Sequence, residues 1–282
     1  MPKTFKSVIT SEELDQLLSV ALTSWPLYRD LNYANFPDRI LVPQFLELNC
    51  PTCKKEQIWE TPQTKLQVHH NGDKRGFAQK SYTCRNCGIS WVTYHFYWKT
   101  GDGEQSTFFK VGQYPELEET ISEPLEKALD EDDRAFYKKA LRLRNFGLGI
   151  ASLAYMRRVI ENRMNDMLDI LHESAQEHGA PRELLEELGT VKGSRRFVDK
   201  IEYGAKLLPE NLRPQGLPNP IGILHELVSD GLHARSEDEC TDIFDKCRFV
   251  FEYVFGKLRI EQEEAKTFVK NLSELSKSRA AT

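Results

Sequence analysis

Two short cysteine pairs constrain this chain more than any other feature of it. CPTC (50–53) and CRNC (84–87) share the C-x2-C spacing, with 30 residues between the pairs. Two intervening residues let one tight turn present both sulfurs. Two such turns supply four thiolates, the tetrahedral set that zinc takes at structural sites. Gly88 follows the second pair, where a turn of this kind needs positive φ. Cys50, Cys53, Cys84 and Cys87 are therefore read as metal ligands, with zinc as the cofactor. Four thiolates leave no open coordination position, so the expected metal is structural rather than catalytic.

Each pair precedes a strand candidate, EQIWE (56–60) and SWVTYHFYW (90–98). That is the logic of a zinc ribbon, in which two knuckles on β-hairpins clamp one metal. Around them lie LVPQFLEL, KLQVHH, QKSYTC and STFFKV, short segments rich in aromatic and β-branched residues. Residues 40–112 are therefore expected to form a small antiparallel β domain. A unit of that size gains stability from the metal. SWVTYHFYW alternates, with Trp91, Thr93, His95 and Tyr97 on one face and Val92, Tyr94, Phe96 and Trp98 on the other. Both faces carry aromatics, which predicts a central strand or a face that meets the helices. The turn HHNGDKRG between the pairs offers His69, His70, Lys74 and Arg75 as contacts for nucleic acid or a protein partner.

The flanks read differently. Residues 1–39 hold a helical segment, TSEELDQLLSVALTS, with Thr10 and Glu13 as a capping box and Trp25-Pro26 as its end. Residues 113–133 are acidic, contain two prolines and read as an acidic linker or a loose cover with a solvated surface and room for one short helix. Residues 134–282 read as helical. Leu153, Met156, Ile160, Met164, Met167 and Leu171 follow helical spacing, as the central helix of a bundle would. Cys240 and Cys247 lie seven apart on one helix and read as buried core. The expected class is α+β: a small antiparallel β zinc-ribbon domain followed by a mainly α-helical bundle.

Composition excludes some functions. The 282 residues carry a formal net charge of -5, which argues against a broad basic surface for duplex binding. A local basic patch is compatible with it. No apolar run suggests a membrane span, and the first residues carry no signal pattern. The expectation is a cytoplasmic chain with no membrane partner. No phosphate-binding loop, nucleophile elbow or H-E-x-x-H motif occurs.

GLGIASLAYMRRVIENRMNDML (147–168) and LVSDGLHARSEDECTDIFDKCRFVFEYVF (227–255) resemble a HEPN-like domain-of-unknown-function family of bacterial helical domains. KVGQYP (110–115) also fits what precedes that domain in similar proteins. The resemblance covers roughly residues 106–260. It implies a helical domain that forms homodimers and, where active, cleaves RNA without metal, as in stress response or phage defence. It makes His233, Arg157, Arg158 and Glu161 the catalytic candidates. The active pattern places an arginine shortly before the histidine. Here Glu226, Leu227, Val228 and Ser229 fill those positions, and Arg235 follows instead. The residues also permit a plain reading of the same stretch. Gly231 would close one helix, Ser236 and Glu239 would cap the next, and His233 would sit in the turn between. Non-catalytic binding of nucleic acid or a protein is therefore the leading expectation. A divergent ribonuclease and a scaffold role in a larger assembly are the alternatives.

Overall fold

The computed structural model describes the backbone of residues 11–34, 42–63, 67–70, 75–100, 105–117, 119–177, 179–194, 196–213 and 215–280. Side chains are described for these residues except 11–15, 32–34, 67–70, 100, 105–106, 177, 230–234, 269 and 273–280. The chain is α+β and divides into two compact units. The first holds residues 1–118 with 145–147, and the second holds 119–144 with 148–282.

The first unit starts with helix α1 (Ser11–Thr23). Its strands are β1 (Leu31–Ala34), β2 (Phe45–Cys50), β3 (Lys55–Glu60), β4 (Gln67–His70), β5 (Arg75–Cys84), β6 (Trp91–Thr100) and β7 (Gln105–Tyr114). They form one antiparallel sheet ordered β1-β7-β6-β5-β3-β2, with β4 also paired to β5. β5 and β6 alternate strictly between buried and more exposed residues, as a sheet covered on one face requires. The covered face packs Trp59, Tyr82, Tyr94, Phe96 and Phe108 with Leu18 and Leu22 of α1. Several polar atoms in this core have partners. Tyr82 Oη donates to Pro43 O at 2.7 Å, and Trp59 Nε1 donates to Leu48 O at 3.0 Å. Lys110 Nζ donates to Leu22 O and Gln113 Oε1, both at 3.1 Å. The N-terminal helical segment thus supplies core to the β unit. Its expected capping residue, Thr10, lies outside the described residues.

The second unit is helical: α2 (Glu123–Ala128), α3 (Glu131–Asn145), α4 (Gly149–Glu177), α5 (Arg182–Glu186), α6 (Leu188–Gly193), α7 (Phe197–Leu207), α8 (Pro220–Ala234) and α9 (Glu237–Ala280). α4 is the hub, and Leu153, Met156, Ile160, Met164, Met167 and Leu171 are all buried. α9 adds Phe244, Cys247, Phe251 and Val254. Cys240 and Cys247 are buried, and burial pushes the Cys247 thiol up to about 11. One charge cluster lies deep in this unit. Asp133 accepts from Asn162 Nδ2 at 2.7 Å and pairs with Arg163, which also reaches Asp130 and Asp166. The first turns of α4 and α9 meet at Gly149, where a Cβ would lie 2.3 Å from Glu237 O. Only glycine permits that approach.

Two expectations need correction. Residues 113–133 are a cover with a short helix rather than a solvated linker: Gln113 and Tyr114 end β7, α2 and the start of α3 follow, and Ile121, Leu125 and Leu129 are buried in the helical core. Apolar residues four apart outweigh the acids between them, because the acids point outward. Gly231 does not close a helix either, since α8 runs on to Ala234. His233 is therefore helical by its backbone, not a turn residue, and its side chain lies outside the described residues. The cap that follows does form. Ser236 N donates to Glu239 Oε2 at 2.9 Å, and Glu239 N donates to Ser236 Oγ at 3.3 Å.

Candidate metal centre

The four cysteines sit at the tips of two hairpins. Cys50 ends β2 and Cys53 lies in the turn before β3; Cys84 ends β5 and Cys87 lies in the turn before β6. Pairing of β3 with β5, through Trp59↔Cys84 and Glu60↔Thr83, sets the hairpins side by side so that the tips meet.

The two turns are built alike. Lys54 N donates to Cys50 O at 2.7 Å, and Gly88 N donates to Cys84 O at 2.9 Å. Each closes one turn around its cysteine pair. The residue after each pair has positive φ, 54° at Lys54 and 64° at Gly88. Gly88 was legible in the sequence. Lys54, a side chain held in the left-handed region, was not.

Distances decide what the sulfurs can do. Cys50 Sγ lies 3.7 Å from Cys87 Sγ, and Cys53 Sγ lies 3.9 Å from Cys84 Sγ. All four lie within 4.8 Å of one another. A disulfide would need about 2.05 Å. A tetrahedron with metal–sulfur bonds of about 2.3 Å has edges of about 3.8 Å. The spacing therefore fits four ligands around one metal ion and fits no disulfide.

Donors surround the sulfurs. Cys53 N–H points at Cys50 Sγ at 3.4 Å, Ser90 Oγ lies 3.2 Å from Cys50 Sγ, and Asn86 Nδ2 donates to Cys53 Sγ at 3.3 Å. The N–H groups of Ser90 and Ile89 hold the Cys87 thiol down to about 6. Asn86 also lowers the Cys53 thiol, but burial and bonds shared with the other thiols outweigh it and push it up to about 11. Metal-free, thiols this close cannot all ionise independently, because each thiolate disfavours the next. One cation at their centre removes that conflict, because it stabilises every thiolate together.

The other candidates fall elsewhere. Arg75 is exposed at the start of β5, while Lys74 and the side chains of His69 and His70 lie outside the described residues. Arg157 and Glu161 come together, Nε to Oε1 at 2.7 Å, one turn apart on α4. Arg158 turns away and lies over the Phe136 ring at 4.6 Å. His225 of α8, not singled out from the sequence, stacks on Phe197 at 4.5 Å. Burial, then the Arg157 charge, hold its imidazole below the ordinary value, with Glu161 opposing. Only a helix-to-helix contact brings it into that neighbourhood, so no sequence spacing signals it.

No family model, curated protein or solved structure matches the chain.

Proposed function

We propose that this chain is a zinc-ribbon binding module that engages nucleic acid, with a HEPN-like helical half that pairs with a second copy. One observation carries the reading: four sulfurs on two matched turns, spaced as the edges of a metal-centred tetrahedron. Four thiolates favour zinc over harder cations. A closed set gives the metal a structural task, holding two hairpin tips together so that the sheet between them keeps its shape. Thiolate ligands suit a compartment where cysteines stay reduced, which supports the cytoplasm. Among the described helices none is long and apolar enough to cross a membrane. Phe249 and Tyr253, exposed and stacked on α9 with ring centroids 6.4 Å apart, support pairing through the helical half.

The test is equilibrium binding of the full chain to labelled RNA, single-stranded DNA and duplex DNA, with metal present and after chelation. Light scattering gives the mass of the same samples. The reading expects metal-dependent binding by a dimer, with the RNA recovered intact. Absence of binding to all three polymers would overturn it, and RNA cleavage by the purified chain would favour the ribonuclease alternative.

A further inference from the structure

The open face of the sheet is not an ordinary solvated face. Phe77 of β5, Tyr97 of β6 and Phe109 of β7 are consecutive register partners across three strands. Their rings touch in series, with centroids 5.1 Å and then 5.4 Å apart, and Tyr28 extends the row at 6.5 Å from Phe109. Further along β6, Trp91 and Tyr114 form a second ring pair at 5.1 Å. Phe77 is 61% exposed, Tyr114 59%, Tyr28 54% and Trp91 49%. Rings at such exposure forfeit the burial that normally justifies them. Six residues along β6 separate the two groups, a distance of about 20 Å. Between them the surface is low and polar, with His95 opposite Gln79 and Gly112, and Thr93 opposite Ser81.

Charge narrows the choice of partner. The chain carries 43 acids and 38 Lys and Arg, yet β5, β6 and β7 contain no Asp or Glu. On the open face Arg75 and Lys99 are exposed and directly opposite in register. Exposed rings that accept flat faces, cations beside them and the exclusion of carboxylates together match a single-stranded nucleic acid. Its bases stack without sequence preference and its phosphates seek cations. A duplex keeps its bases stacked inside and cannot use the rings. An apolar protein surface laid on the rings would desolvate Arg75 and Lys99 without supplying anions for them.

We infer that the open face of β5–β7 is a stacking platform for single-stranded nucleic acid, with bases on the Phe77–Tyr97–Phe109 row and phosphates at Arg75 and Lys99. This rests on the nucleic-acid reading above and locates its surface. The probes are fluorescein-labelled 12-nucleotide dT and rU oligomers and a 12-base-pair duplex, titrated with the full zinc-loaded chain. Tyr97→Ala and Phe77→Ser should each weaken oligomer binding about tenfold, the scale of one lost base stack. Tyr97→Phe should stay within about twofold, since the ring remains. Lys99→Gln should lower the salt dependence of log K by about 0.7, the value of one phosphate contact on a single strand. Thermal melts of each variant identify folded samples, and Phe77→Ser, the more exposed site, stands in if Tyr97→Ala fails to fold. Tighter binding of either single strand supports the inference and names the polymer, whereas tighter binding of the duplex overturns it. Wild-type affinity in folded Phe77→Ser or Tyr97→Ala, with unchanged salt dependence in Lys99→Gln, also overturns it, while leaving the broader reading intact. If the unsubstituted chain binds none of the three probes, both fall.

Discussion

Gly88 and Lys54 occupy equivalent places in two copies of one turn, so exchanging their character is a controlled experiment. Both have positive φ, 64° and 54°. A Cβ on Gly88 would meet nothing within 4 Å, so Gly88→Ala adds no steric contact and only the backbone cost remains. That cost is about 1–2 kcal/mol. Loss of glycine's freedom in the unfolded chain returns about 0.4–1 kcal/mol, leaving a net loss of about 1 kcal/mol. Lys54 already bears the same strain, so Lys54→Gly should run the other way, a net gain of about 0.5–1 kcal/mol. The pair should therefore move the β unit in opposite directions, about 2 kcal/mol apart. Trp25, Trp59, Trp91 and Trp98 all lie in the first unit, so tryptophan fluorescence follows its melting without signal from the helices. At about 4 °C per kcal/mol the two midpoints should bracket the unsubstituted protein by several degrees each way. Shifts of the same sign, or none for Gly88→Ala, would refute the claim that the two turns are one device.

Other outcomes follow from the helical half. Gly149→Ala puts a methyl 2.3 Å from Glu237 O and should destabilise the helical unit by about 3 kcal/mol, seen as a lowered far-ultraviolet melt; a change below about 0.5 kcal/mol would contradict that close approach. Asp133→Ala removes the buried acceptor of Asn162 and one of three carboxylates on Arg163 and should cost about 1–3 kcal/mol in denaturant titrations, whereas Asp133→Leu combined with Arg163→Met should be milder. The N–H of Asp133, with Arg163, holds the Asp130 carboxyl below its ordinary value. Its contribution is therefore present at neutral pH and is lost as pH falls through that lowered value. The melt of the helical unit should drop on acidification into the carboxylate range, and should do so less in Asp130→Asn.

Local chemistry was legible in the sequence, and longer-range juxtaposition was not. The metal turns could be read because each ligand pair lies within four residues and the glycine that closes the second turn follows it directly. The Ser236–Glu239 cap and the alternation of β6 were readable for the same reason, since each is written within one element. The expected linker misled because its acids dominate composition, while Ile121, Leu125 and Leu129 carry the helical stripe that buries it. Gly231 misled because a glycine in a helix signals an end only when the following residues cannot continue it, and Leu232, His233 and Ala234 can. The ring row needed strand register: Phe77, Tyr97 and Phe109 are 20 and 12 residues apart, and only the pairing of three strands makes them neighbours. His225 needed the packing of α8 near α4 in the same way.

The most direct measurement is the metal content of the purified full chain by mass spectrometry under native conditions, repeated on Cys84→Ser. The account predicts one zinc ion per chain, lost on acidification or in the serine variant, with loss of β-unit melting cooperativity. A metal-free chain that keeps the same melt, or a covalent bond between any two of the four cysteines, would contradict it.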